Sequence, residues 1–292
     1  IGSGLVGSEM CIRDSYNNLD RITDLPDDYY YTKAITDSAV SFVHAHDTRK
    51  PMFLYVAHYA PHLPLQAPAE YVKKCIDRYK VGYDVLRKQR FEKQKSIGLV
   101  PDSLELPIFN KEFGGKRPAW KDLTPQQQEK WINDMATYAA MIEIMDEGIG
   151  KLVDEIKKKG MYENTVFLFL SDNGATDEGG FIGQLMSDLS NTPYRSYKKW
   201  VFQGGTSTPF ILTYGDKKKN KMKGEICHQP AHIIDVMPTC MALGKVTYPK
   251  TFAHADLPGT SLLPASQGKA LEPRTLYFEH QSSCAIINGT WK

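Results

Sequence analysis

The stretch FLFLSDNGA, residues 167–175, ends an apolar run on an acid, an amide and a glycine. With Val166 that run is five residues long, continuous, and rich in aromatic and branched side chains. Such a composition predicts a strand buried on both faces, as in the parallel sheet of an α/β protein. In sheets of this kind ligands bind just beyond the carboxyl ends of the strands. Asp172 and Asn173 fall there, offering two hard oxygens, and Gly174 frees the backbone to turn sharply. Ser, Asp, Asn and Gly also make ordinary polar turns. The rest of the chain has to decide between a site and a turn.

The bulk numbers exclude several classes. A chain of 292 residues holds one large domain, or a domain and part of another. Apolar content of 41% and charged content of 24% are ordinary for a globular protein. A formal net charge of +2, with no basic stripe interleaved with aromatics, argues against a nucleic-acid partner. The lysine-rich run KKKNKMK, 217–223, reads as a solvated loop. No apolar stretch approaches the roughly 20 residues of a membrane span. Five cysteines (Cys11, Cys75, Cys227, Cys240, Cys284) form no CxxC pair and no zinc spacing, and do not fix the redox compartment. Residues 1–15, IGSGLVGSEMCIRDS, have neither the basic start nor the apolar core of a signal peptide, and no helix or strand period. They resemble translated library-adapter sequence and are set aside as an extraneous segment.

Along the rest of the chain helix and strand alternate. From Asp28 the spacing of Ala34, Ile35, Ala39, Phe42 and Val43 predicts a helix with one apolar face. MFLYVAHYAPH then predicts a second buried strand over Met52 to Ala57, again ending near polar groups. Short helical pieces follow around 69–79 and 83–96. A long helix comes next: Thr124 caps it, Pro125 takes its first position and Gln127 completes a capping box. Trp131, Met135, Tyr138, Ile142, Met145, Ile149, Leu152 and Ile156 recur on one face, and Gly160 stops the helix. TPFILTY, 208–214, predicts a strand and AHIIDVMPTCMALG, 231–244, a helix. RTLYFEH and CAIINGTWK then read as successive strands with no helix between them. That change marks the start of a smaller antiparallel subdomain at 271–292, after a catalytic domain over 16–270.

Four segments carry or mimic candidate chemistry. In YAPHLPLQAP, 59–68, His62 stands between two prolines just past a predicted strand, where a fixed imidazole can serve as acid or base. In NTPYRSYKKWVFQGGTSTPFI, 191–211, Arg195, Lys198 and Lys199 precede paired glycines, Gly204 and Gly205. A lysine held near a metal site stabilises a transferring anion, although most lysines are simply solvated. HAHD, 44–47, looks like a metal motif, but residues two apart on a helix point to nearly opposite faces, so His44 and His46 are read as surface residues. NGT, 288–290, is a formal glycosylation sequon.

In order, FLYVAHYAPHLPLQAP, MATYAAMIEIMDEGIGKLVDEI, FLFLSDNGA, YRSYKKWVFQGGTSTPFI and HIIDVMPT resemble the type I sulfatases, and among them the arylsulfatases. The resemblance spans essentially residues 16–292. It implies an α/β fold of alkaline-phosphatase type: a mixed sheet sandwiched by helices, here truncated at the N-terminus, with the start of a small antiparallel C-terminal subdomain. It implies that Asp172 and Asn173 help hold a divalent cation, usually calcium. It also implies that His62 lies near the leaving-group oxygen and that Lys198, by its spacing before Gly204 and Gly205, bridges sulfate and leaving group. Lys199 does not fall on that position.

The departures are as informative. The family's nucleophile is a formylglycine made from the first residue of a Cys-x-Pro-x-Arg or Ser-x-Pro-x-Arg motif, and this sequence has none. The early aspartate pair that completes the metal shell is absent too. The expectation is therefore an internal fragment of a sulfatase, inactive by itself, whose intact parent cleaves sulfate esters of small molecules or glycans. For that parent the family suggests a periplasmic or secreted location. Two other readings remain open: a phosphatase or phosphodiesterase of the same superfamily, or a catalytically dead homologue kept for binding.

Overall fold

A computed structural model of the chain describes residues 15–17, 20–22, 24–26, 28–107, 117–219, 221–249, 257–289 and 291–292. Residues 1–14 of the adapter-like segment, Cys11 included, lie outside the described residues; Ser15 opens a short hairpin of β1 (Ser15–Asn17) and β2 (Asp20–Ile22). The chain divides into two compact units, residues 1–78 with 133–159, and residues 79–132 with 160–292.

The first unit contains α1 (Tyr31–Ala45), nearly all of α2 (Ala69–Tyr79) and most of α4 (Pro125–Lys158). The start of α4 forms as its sequence predicts. The Thr124 amide donates to Gln127 Oε1 at 2.9 Å, and the Gln127 amide donates to Thr124 Oγ1 at 3.2 Å. Gly160 ends the helix region in the left-handed conformation, φ 69°. Interhelical bonds tie α4 to its neighbours: Tyr71 Oη donates to Glu147 at 2.7 Å, Arg78 pairs with Glu143 at 3.1 Å, and His44 Nδ1 lies 2.9 Å from Glu155.

The deepest faces differ from the expected ones. In α4 Trp131, Met135 and Ile156 are buried as expected, but Ala136, Ala139, Ala140, Met141 and Ile144 are buried with them, while Tyr138, Ile142, Met145, Ile149 and Leu152 are only half-buried. In α1 the buried residues are Thr32, Thr36, Ala39 and Val43, and Phe42 is exposed. Where α1 meets α4 at Thr36, the residues in contact are small. A Cβ on Gly148 of α4 would stand 2.3 Å from Thr36 Oγ1, so the helices meet where side chains are smallest rather than where they are most apolar.

The second unit contains α3 (Tyr83–Ser96), the first turns of α4, β3 (Val166–Leu170), α5 (Gly180–Ser190), α6 (Gln203–Thr206), β4 (Phe210–Tyr214), α7 (Val236–Gly244) and α8 (Leu263–Ser266). It closes with β5 (Thr275–His280) and β6 (Ser283–Asn288). Tyr79, Tyr83, Trp120 and Trp131 form an edge-to-face cluster with centroids 5.3–5.9 Å apart. Ile182, Leu185 and Leu189 give α5 a buried stripe at helical spacing. β5 and β6 pair antiparallel from Thr275↔Asn288 to His280↔Ser283, the hairpin expected at the end of the chain.

The expected mixed sheet is only partly formed. Among the described residues the sheets are three antiparallel pairs, β1–β2, β3–β4 and β5–β6. β3 is a strand as predicted, but β4 runs antiparallel to it, in register Val166↔Tyr214 to Leu170↔Phe210. Nor is the pair covered on both faces, since Phe169 and Ile211 are exposed. Met52–Ala57 forms no strand ladder. Its burial still alternates residue by residue, with Phe53 and Tyr55 about four-fifths exposed. The segment has the period of a strand but no backbone partner among the described residues, and a ladder needs both.

Candidate active site

Asp172 and Asn173 stand directly after β3, where the opening stretch put them. The turn is self-bonded: the Asn173 amide donates to Asp172 Oδ1 at 3.1 Å, Ser171 Oγ to the Asn173 carbonyl at 2.9 Å, and Asn173 Nδ2 to the Gly174 carbonyl at 3.2 Å. Both side chains are exposed and offer oxygen.

Lys198 is brought to this turn by backbone bonds. Its amide donates to the Ala175 carbonyl at 2.9 Å, the Gly174 amide to the Gly205 carbonyl at 3.1 Å, and the Gly204 amide to the Arg195 carbonyl at 2.9 Å. The fit leaves no room for side chains at the glycines. A Cβ on Gly174 would lie 1.7 Å from the Gly204 carbonyl oxygen, and one on Gly204 would lie 2.0 Å from that of Ser196. The residues flanking the Tyr197–Lys198 pair, Ser196 and Lys199, are left-handed at φ 64° and 78°. Such non-glycine residues each cost about 1–3 kcal/mol and persist where surrounding contacts over-determine them.

Those contacts are a buried polar network. Arg117 donates from Nε to Asp188 Oδ2 at 2.8 Å, to Gln184 Oε1 at 2.6 Å, and to Tyr197 Oη at 2.7 Å; Tyr197 Oη donates to Asp188 Oδ1 at 2.6 Å. Burial pushes the Tyr197 phenol up, and the Asp188 carboxylate beside it adds to the effect. Tyr197 is therefore a neutral, fixed anchor next to Lys198. Arg195 stacks on the Phe202 ring, 3.8 Å from its centroid. The Lys198 side chain is 16% exposed, and its Nζ lies 3.1 Å from Glu178 Oε1. Lys199, half-exposed, reaches the same oxygen at 3.7 Å.

His62 belongs to the first unit. Its Nδ1 donates to the Leu63 carbonyl at 2.8 Å and lies 3.3 Å from Tyr59 Oη. A carbonyl only accepts, so Nδ1 carries the proton and Nε2 is the nitrogen that can exchange one with a ligand. His44 is exposed and His46 half-buried, and they bond to Glu155 and to the Lys50 carbonyl.

The profile of the Sulfatase family matches residues 5–246. The chain belongs to the sulfatase family. It is 32% identical over 276 residues to the arylsulfatase of Klebsiella aerogenes, a match covering 84% of this chain and 58% of that protein. The chain thus spans little more than half the length of this relative. Among solved structures it is similar to Ps i-CgsB in complex with k-i-k-neocarrahexaose, with a TM-score of 0.58 and 24% identity over 92% of this chain and 46% of that one. It is also similar to BT4656 in complex with its substrate D-glucosamine-2-N,6-O-disulfate, with a TM-score of 0.58 and 17% identity over 92% and 60% of the two chains. At these identities the structures establish the sulfatase fold. No helix among the described residues is long and apolar enough to cross a membrane.

Asp172 and Asn173 suit a hard divalent cation in kind but supply only part of a shell, since calcium takes roughly 6–8 oxygens. No cluster of three His, Cys, Asp or Glu side chains able to hold a metal occurs among the described residues. Two residues of this site were not read from the sequence, Asn191 and Glu178. Asn191 precedes Thr-Pro and looks like a turn residue, and Glu178 looks like one more exposed acid. Neither carries a signal until the fold sets a partner opposite it.

Proposed function

We propose that this chain carries the sulfate-gripping part of a sulfuric ester hydrolase. In this reading Lys198 neutralises the sulfuryl oxygens and the bridging oxygen of the ester. By the family resemblance His62 acts as an imidazolium that gives its Nε2 proton to the leaving oxygen, keeping the Nδ1 proton on the Leu63 carbonyl. Asp172 and Asn173 hold a divalent cation, with calcium the best match to their oxygens. Such a cation, when bound, adds positive charge where the ester carries its negative charge. The observation that supports the reading most is the backbone seam between the 172–175 turn and the 195–205 loop, which ties the Lys198 backbone to the turn that follows Asp172 and Asn173.

The substrate class is a sulfate ester of a small molecule or a glycan. That BT4656 was solved with a sulfated sugar as its substrate favours the glycan. The nucleophile is a formylglycine from a Cys-x-Pro-x-Arg motif outside these 292 residues. The nearest spacing within them, NTPYR at 191–195, begins with Asn191. Covalent catalysis splits one hard step into two, and charge stabilisation alone does not replace it.

Hydrolysis of a chromogenic aryl sulfate tests this. The chain alone is expected to be silent, with or without calcium. Joined to an upstream segment of its reading frame that carries the motif, it is expected to turn over, and Lys198→Ala is expected to cut kcat by about 100-fold or more. Turnover by the chain alone would sink the placement of the nucleophile. Turnover of the joined protein indifferent to Lys198→Ala would sink the role of the lysine.

A further inference from the structure

We infer that Glu178 is an internal counter-ion that competes with sulfate for Lys198 and keeps the grip on the product weak. The inference rests on the reading of Lys198 as the sulfate-binding lysine. One carboxylate oxygen, Glu178 Oε1, faces two ammonium groups, at 3.1 Å from Lys198 and 3.7 Å from Lys199. Lys198 is the more enclosed of the two, at 16% exposed against 46%. An incoming anion that pairs with Lys198 therefore competes with Glu178 for the same ammonium group, and Lys199 offers the carboxylate a second partner.

Glu178 is held in place to do this. Its amide donates to Thr176 Oγ1 at 3.2 Å, and the Thr176 carbonyl accepts from Ser187 Oγ of α5. Gly183 lets α5 close on the same loop, since a Cβ there would lie 1.8 Å from the Glu178 carbonyl oxygen. The ester substrate carries a single negative charge, whereas the sulfate released from it carries two. An uncontested lysine pair would hold the product more tightly than the substrate. A carboxylate that returns to Lys198 offsets that excess and favours release.

Inorganic sulfate titrated into the full chain tests the inference, followed by the amide proton and nitrogen shifts of Lys198 and Gly205. Glu178→Gln is expected to bind sulfate about three- to tenfold more tightly than the wild type, Glu178→Ala likewise, and Lys198→Ala to bind more weakly than either. A gain of affinity cannot arise from a damaged fold. If Lys198→Ala weakens binding but both Glu178 variants bind no tighter than wild type, Glu178 only buttresses the loop and the inference fails alone. If Lys198→Ala leaves binding unchanged, or no variant binds sulfate, Lys198 is not the anion-binding group and the functional reading fails with it.

Discussion

Asn191 Oδ1 accepts the amide proton of Ala175 at 3.1 Å, and the same side chain donates from Nδ2 to the Ser196 carbonyl at 2.9 Å. One amide thus joins the turn that carries Asp172 and Asn173 to the loop that carries Lys198. Ala175 is gripped on both sides, because its carbonyl accepts from the Lys198 amide. Asn191→Ala leaves two partly buried backbone groups without partners, at a cost of about 1–3 kcal/mol. Asn191→Asp keeps the acceptor but sets a carboxylate against the Ser196 carbonyl. Both variants are expected to speed hydrogen exchange at Ala175 and to lower the thermal midpoint. Unchanged exchange at Ala175 would show that the seam holds without the amide.

Gly174→Ala tests the same seam sterically. The added methyl group meets the Gly204 carbonyl oxygen, a backbone atom that moves only if the loop does. The expected loss is about 1–3 kcal/mol, in the range of overpacked interiors, with shift changes at Gly204, Gly205 and Lys198. Chemical denaturation measures the first and amide spectra the second. A variant as stable as wild type would mean that the two segments are not in contact.

What the sequence made legible follows from how local each signal is. The Thr124–Gln127 cap is three residues wide, and it forms as read. The 275–288 hairpin joins two runs that are neighbours in the chain, and it also forms. The pairing of β3 with β4 joins residues 40 or more positions apart, and nothing in VFLFL or FILTY states direction or register. The contact between Thr36 and Gly148 was equally hidden, because an apolar pattern does not count threonine or glycine as interior. In the proposed site, Asp172, Asn173 and Lys198 are read from a strand end, a spacing and a family resemblance. Asn191 and Glu178 were missed, because their roles lie in a backbone amide and an ammonium group that only folding brings opposite them.

Stability toward acid is expected to depend on Asp235. Its side chain is fully buried, and it accepts from the Thr260 amide at 2.9 Å, from the His232 amide at 2.8 Å, and from both Nη groups of Arg274. Burial alone raises its carboxyl. The Arg274 guanidinium and the two amides more than offset this and hold it below the usual carboxylate range. A carboxyl depressed in the folded state contributes stability above its unfolded value, about 3.9, and loses it as pH falls through the folded one. Stability measured by denaturant from pH 6 downward should therefore drop below about pH 4. Asp235→Asn should be less stable at pH 6, since it leaves Arg274 without its carboxylate, and should show a shallower acid slope. Equal slopes would assign the acid sensitivity to other groups.

Asp172, Asn173 and Lys198 are proposed to serve one sulfate-ester site built around a cation. Paramagnetic broadening by Mn2+ added to the full chain tests it most directly, because weak binding in fast exchange suffices and no turnover is required. Selective broadening of the Asn173, Gly174 and Lys198 amides is expected, all of it abolished by Asp172→Asn. Broadening that spares the Lys198 amide, or that survives Asp172→Asn, would contradict that reading.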